Sequence, residues 1–234
     1  METSMTLENV QIPVTPEIAV SAVLGIPEWW PTGERVGVVV AHDTNATMDH
    51  DLPVLLHRSL AERGDLTLRF NFPYAEARKK RPDQPALLQR TMRAVISFMM
   101  SNPHNAPARL VLAGVGLGGR VAAEVVAQGT KAHSLLLLSY PLHPVGKPGQ
   151  AKTEALFRII CPILFLQGTK DPTCRIDRLR EVMRRIGAPT SLHVIEDADH
   201  GFGVAKRSPR SLEEVRTEAV MESDRFIRQV TGSL

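Results

Sequence analysis

The chain has only two cysteines, Cys161 and Cys174, among 234 residues. Two thiols give no disulfide framework, so the chain must fold on its apolar core, and a reducing compartment is the expectation. Charge of one sign is also scarce: Lys plus Arg is 28 and Asp plus Glu is 25, a formal net charge of +3. The run Arg78-Lys79-Lys80-Arg81 is too short for a phosphate-binding stripe, so no nucleic-acid partner is expected. No apolar run approaches the length of a membrane span; Leu135 to Leu138 is the densest. The opening Met1 to Val14 carries Glu2 and Glu8 and lacks the apolar centre of a signal peptide. A cytoplasmic protein without a membrane partner is the expectation.

What is there is a repeated alternation. Short β-branched or leucine-rich runs occur at 35–41, 66–72, 109–115, 134–139, 162–167 and 191–196. Most are continuous rather than alternating, as strands covered on both faces require. Between them lie helical stripes: Leu52, Leu55, Leu56 and Leu60; Leu88, Met92, Val95, Ile96 and Met99; Val121, Ala122, Val125 and Val126; Leu179, Val182, Met183 and Ile186. A last helix is expected from Leu212 to Val230, with Leu212, Val215, Ala219, Phe226 and Val230 inward. Strand–helix alternation predicts a doubly wound, mainly parallel sheet in one α/β domain spanning 1–234. Val10–Val14 and Ile18–Leu24 read as an edge strand pair, so residues 1–30 are edge strands or an extension. Ligands of such sheets sit at the carboxyl ends of the strands.

The run 109–115 leads into Gly114-Val115-Gly116-Leu117-Gly118-Gly119. Read as G-x-G-x-x-G, this is a dinucleotide fingerprint, but the next strand ends Leu138-Ser139-Tyr140 without the carboxylate that would hold a ribose. Read as G-x-S-x-G, it is a nucleophile elbow with Gly116 in the serine's place, and Gly114 and Gly118 allow strand and helix backbones to approach. The elbow's partners, an acid and then a histidine, follow in order. Asp171 stands in Gly168-Thr169-Lys170-Asp171-Pro172 and His200 in Asp197-Ala198-Asp199-His200-Gly201-Phe202, each after a strand.

With these segments, the chain resembles small bacterial α/β-hydrolases of the dienelactone-hydrolase-like group. The likeness is strongest to those sharing the domain of a testis-expressed protein and of a subunit of the non-specific-lethal chromatin complex. Arg69-Phe70-Asn71-Phe72-Pro73-Tyr74, Arg81-Pro82-Asp83 and Tyr140-Pro141-Leu142-His143-Pro144 carry it further. The resemblance implies an α/β-hydrolase fold without a large cap, and in active members a Ser-Asp-His triad acting on esters or similar acyl compounds. It places the catalytic positions at Gly116, Asp171 and His200, and the oxyanion site around Asp43, Thr44 and Leu117; Tyr74 and His143 each follow a strand and are expected at the pocket mouth.

The chain departs from that pattern twice. Gly116 has no Oγ, so no acyl-enzyme can form there. Where the family reads His-Gly-x-Gly, this chain reads His42-Asp43-Thr44-Asn45, setting a carboxylate beside the place where negative charge would develop. That carboxylate opposes oxyanion stabilisation unless it points away or is protonated.

Two readings follow. One is a hydrolase-lineage protein without ordinary serine-hydrolase activity that binds a small acyl or carbonyl ligand, or a protein partner. The other is a residual esterase- or lactonase-like hydrolase in which His200, backed by Asp171, activates water. Dinucleotide binding at the glycine turn is a weaker third. No cofactor or metal is expected, since no Cys/His cluster or H-E-x-x-H spacing is present. Elsewhere bland roles are expected: Cys174 as a buried thiol, Arg120 and Arg69 as ties between elements, and Trp29 and Trp30 as edge or partner packing.

Overall fold

The computed structural model describes residues 5–30, 34–101 and 106–232. Residues 1–4, part of the expected opening extension, and Pro31, after the tryptophan pair, lie outside them.

Eight strands form one sheet: β1 (Met5–Pro13), β2 (Ala19–Pro27), β3 (Val36–Ala41), β4 (Leu66–Phe70), β5 (Arg109–Val115), β6 (Ser134–Leu138), β7 (Ile163–Gly168) and β8 (Thr190–Ile195). Their spatial order is β1-β2-β4-β3-β5-β6-β7-β8. From β4 to β8 every pairing is parallel, and β2 joins β4 antiparallel. The expected edge pair is a hairpin longer than its apolar residues suggested, with Met5 opposite Pro27 and Pro13 opposite Ala19.

The helices are α1 (Asp51–Glu62), α2 (Pro73–Glu76), α3 (Pro85–Met100), α4 (Leu117–Ala127), α5 (Ile176–Met183) and α6 (Leu212–Thr231). Their stripes cover both sheet faces. Leu112, Leu137 and Phe165 meet α3, α4 and α5 on one face; Val38, Val111, Leu136 and Leu166 meet α1 and α6 on the other. Each central strand is thus apolar throughout because both of its faces are roofed, at about 25 cal/mol for each Å² of apolar surface removed from water.

Three local expectations change. β4 stops at Phe70, not residue 72: the Phe72 N–H turns to the His42 ring and Pro73 opens the helix that follows. Leu212 is exposed rather than inward. It sits in the first turn of α6, behind a capping box of Ser211 and Glu214. The helix α2 was not expected: four residues carry no periodicity, and it starts on Pro73, with the Tyr74 N–H held by Asp83 Oδ2 at 2.7 Å.

Candidate active site

The strand ends of β3, β5, β7 and β8 converge on one cluster. Between β5 and α4 the turn is as tight as its glycines suggested. A Cβ on Gly114 would collide with the Gly118–Gly119 backbone, and one on Gly118 with Ala41. Gly116, the residue capping α4, has φ 52° and ψ −114°, a conformation glycine takes at no steric cost.

The loop after β3 places Asp43 directly against this turn. A Cβ on Gly116 would fall well inside contact distance of Asp43 Oδ1 and Cγ. The carboxylate therefore fills the volume that a side chain at 116 would need. Asp43 Oδ1 accepts the Leu117 N–H at 2.7 Å, the first free amide of α4. Its Oδ2 lies 3.1 Å from His200 Nε2. A helix N-terminus favours an anion there. Burial opposes ionisation of Asp43, but the His200 hydrogen bond and the Leu117 and Thr44 amides outweigh it, holding the pKa below the usual carboxylate value. Asp43 thus neither points away nor is protonated.

The backbone of Asp43 is fixed by its own carbonyl, which accepts three hydrogen bonds. They come from His42 Nδ1–H at 2.7 Å, the Tyr74 hydroxyl at 3.1 Å and the Ala46 N–H at 3.2 Å. His42 is buried and its pKa falls to about 4, chiefly by desolvation. It is a neutral ring whose Nε2 accepts the Phe72 N–H at 3.1 Å.

His200 lies between two carboxylates. Its Nδ1 is 2.8 Å from Asp171 Oδ2 and its Nε2 faces Asp43. Desolvation would lower its pKa, but the two carboxylates outweigh burial and raise it to about 10. The ring is an imidazolium at neutral pH and donates to both. Asp171 is buried. It also accepts from Gln167 Nε2 at 2.7 Å and from the N–H and hydroxyl of Thr173 at 2.8 and 2.7 Å. Burial would raise its pKa, but His200 and Thr173 hold it below the usual value. The loop carrying His200 is braced by Asp199 Oδ1, which accepts the Gly201 and Gly203 amides.

A cleft of about 230 Å³ opens on this cluster, with Ala46, Leu52, Pro53 and Val115 as apolar walls and Asp43 and His200 in its lining. Hollows of about 250 Å³ beside Arg120 and Tyr140, and about 780 Å³ between α1 and α6, include neither Asp43 nor His200.

The structure therefore brings Gly116, Leu117, Asp43, Asp171 and His200 together, with Thr44 beside them. Tyr74 and His143, expected at the pocket, do not line the cleft. Tyr74 is buried and its hydroxyl is spent on the Asp43 carbonyl. His143 is buried too; its Nδ1 donates to the Pro144 carbonyl at 3.0 Å and its Nε2 accepts the Arg175 N–H at 3.1 Å. Arg120 ties α4 to the loop after β6 through the Pro141 carbonyl at 2.7 Å. Arg69 holds the Met48 carbonyl and Asp49. Cys174 is buried, its thiol pushed up to about 12 chiefly by burial. Sequence reasoning missed His42 and Gln167. Both are polar residues beside strand ends, a signal shared with many structural side chains. Among the described residues no group of His, Cys, Asp and Glu could hold a metal ion, and no helix is long and apolar enough to cross a membrane.

Comparison with known proteins meets this geometry with a family and a fold. An α/β-hydrolase domain family matches residues 34–228. An α/β serine hydrolase homologue from Coxiella burnetii is 22% identical, with 94% of this chain and 98% of that one covered and a TM-score of 0.70. A dienelactone hydrolase from Anabaena variabilis is 20% identical over 93% of this chain and 96% of its own, also at 0.70. An esterase from Pyrococcus furiosus is 15% identical over 96% and 90%, at 0.75. At these identities the solved structures show a common fold, and the family match adds descent. The chain belongs to the α/β-hydrolase domain family.

Proposed function

We propose that this chain is a hydrolase-lineage protein whose cleft works without a serine nucleophile and takes a small, neutral ligand beside Asp43 and His200. One observation carries the reading: the Asp43 carboxylate occupies the side-chain space of position 116 and accepts the Leu117 N–H. Both parts of serine-hydrolase chemistry, the nucleophile and one donor of the oxyanion hole, are displaced by the same group. An acyl or carbonyl ligand polarised by Leu117 would first have to expel Asp43. The cluster carries two carboxylates and one imidazolium, a net negative charge, and the other charged groups lining the cleft, Asp51 and Arg216, neutralise each other as an ion pair; this disfavours anionic ligands, and the apolar walls favour a neutral one. A pyrophosphate at the glycine turn would meet Asp43, which argues against a dinucleotide.

Direct activation of water by His200 requires a free lone pair on the ring at rest. The two flanking carboxylates keep both nitrogens protonated at neutral pH, so this second reading loses support. A fluorophosphonate probe together with p-nitrophenyl butyrate tests the proposal. We expect no covalent label and no ester turnover above that of a His200→Gln variant. Stoichiometric labelling, or turnover abolished by His200→Gln, would overturn it.

A further inference from the structure

We infer that the hollow between α4 and residues 152–158 binds a small acidic amino acid, a ligand with one ammonium and two carboxylates. It lies apart from the cleft of Asp43 and His200 and does not depend on what that cleft holds.

The hollow, of about 250 Å³, is lined by Tyr140, Arg120, Glu124, Lys152, Glu154 and Arg158. Tyr140 is 1% exposed, and its ring is seated edge-on against Phe165 with the centroids 5.9 Å apart. Its hydroxyl makes no hydrogen bond to any described residue. That hydroxyl feels the charges of Arg120, Glu124 and Glu154, three residues of the hollow's lining, so this end of the ring faces the hollow. Buried polar groups ordinarily have partners, and the hollow is where a partner for this one can sit. Burial holds the phenol above its usual pKa, so it keeps its proton and is a donor.

The charges around it select the ligand. Arg120 and Glu124 are four residues apart on α4 and share one face, where opposite charges ordinarily pair. Each is diverted instead. Arg120 Nη2 donates to the Pro141 carbonyl at 2.7 Å, and Glu124 Oε2 accepts from Gln89 Nε2 at 2.9 Å. Lys152, Glu154 and Arg158 are exposed on the facing segment, which the Lys152 N–H ties to the Leu142 carbonyl at 2.8 Å. Among the described residues, none of these five charged side chains joins an ion pair. A simple anion would meet Glu124 and Glu154, and a simple cation would meet Arg120. A ligand of mixed charge satisfies both signs. Three cations and two carboxylates leave the lining at a net charge of +1, which a ligand of net charge −1 neutralises. The volume is below the about 300 Å³ at which pockets for drug-sized ligands begin, so the ligand is small. An acidic amino acid has this charge set. One carboxylate takes Arg120 and the Tyr140 hydroxyl as charge-assisted hydrogen bonds, the ammonium takes Glu124, and the second carboxylate reaches Lys152 and Arg158 at the rim.

The experiment uses the full chain. It holds two tyrosines, Tyr74 and Tyr140, so ring-labelled tyrosine gives two sets of NMR signals, which Tyr140→Phe assigns by removing one. L-Glutamate, added up to about 10 mM, should move the Tyr140 signals along a one-to-one saturation curve and leave those of Tyr74 in place. L-Glutamine and glutarate each lack one of the charges and should bind at least about 10-fold more weakly. By calorimetry, Tyr140→Phe should weaken L-glutamate at least about 10-fold. It should lose no stability towards urea, because the hydroxyl serves no other residue. Glu124→Gln should erase the preference for L-glutamate over glutarate. Tyr140 signals unmoved by L-glutamate would overturn the inference, and so would L-glutamine or glutarate binding as tightly as L-glutamate. A Tyr140→Phe variant that binds L-glutamate like wild type would overturn it too. So would a destabilised one, since the hydroxyl would then be serving the fold.

Discussion

Gly116 and Asp43 compete for one volume: a Cβ on Gly116 would run into Asp43 Oδ1 and Cγ. In the sequence these residues are two departures in separate loops. In space they meet, and on the proposed reading this is a single exchange: the carboxylate from the loop after β3 fills the space that a side chain at 116 would need. The amide of Leu117, which accompanies any elbow residue, now serves that carboxylate.

The exchange makes a prediction about rescue. Gly116→Ser alone must place a Cβ against Asp43 and put a non-glycine residue at φ 52°. We expect a loss of about 1–3 kcal/mol in stability and no gain in p-nitrophenyl butyrate hydrolysis. Combining it with Asp43→Gly frees both the space and the Leu117 N–H. The double variant should regain part of the stability, with a coupling of about 0.5–3 kcal/mol by urea denaturation, and should be the first to show esterase activity. Additive stabilities would mean that the two positions do not share space.

The charge state of His200 is open to direct titration. With a pKa raised to about 10, its ring resonances should remain those of an imidazolium at pH 8. Asp43→Asn removes one of the two flanking carboxylates and should bring the midpoint down. A raised pKa also couples to stability. Below about 6.5 the ring is protonated folded and unfolded, and its interactions count fully; they are lost as pH rises through about 10. The stability gap between wild type and His200→Gln should therefore shrink steadily across that window. A constant gap would show that His200 is not held charged.

Much of this was legible in the sequence, and the reasons are physical. The strands β5, β6 and β7 announce themselves because two roofed faces demand apolar residues at every position. Asp171 and His200 were legible from chain order, since topology puts loops after parallel strands on one edge of the sheet. Asp43 was visible as an intruding charge, but which way its side chain points depends on the Asp43 carbonyl. That carbonyl is set by His42, Tyr74 and Ala46, contacts that no spacing rule encodes. Tyr74 and His143 were drawn into the pocket because they follow strands. Each instead satisfies backbone groups under the loops, the commoner fate of a buried polar ring.

His42 tests the claim that the loop after β3 is fixed from beneath. His42→Phe keeps a ring of similar bulk but leaves the Phe72 N–H without its acceptor and removes one donor from the Asp43 carbonyl. A cost of about 1–3 kcal/mol is expected from the orphaned amide. Loosening the Asp43 carboxylate should at the same time lower the titration midpoint of His200. A stability loss with an unmoved His200 midpoint would show that His42 supports the fold and not the position of Asp43.

The second buried carboxylate partnership lies at the other end of the molecule. Asp65, at the start of β4, is fully buried and accepts from Arg228 Nη2 of α6 at 2.6 Å. Burial outweighs that pairing and raises the Asp65 pKa to about 7. The folded state thus holds this proton more tightly than the unfolded chain, and stability from Asp65 is lost as pH rises from its ordinary value through about 7. Arg228→Met should therefore behave differently on the two sides of neutrality. At pH 8 it strands a buried carboxylate without its cation, a cost of about 3–5 kcal/mol. At pH 5 the carboxyl is protonated with or without Arg228, so the cost should be smaller. Asp65→Asn, which cannot ionise, should flatten the dependence of the Arg228→Met cost on pH. Urea midpoints for the two single variants and the double variant at both pH values settle the matter. An Arg228→Met penalty equal at pH 5 and pH 8 would show that Asp65 stays ionised throughout, held by Arg228 alone.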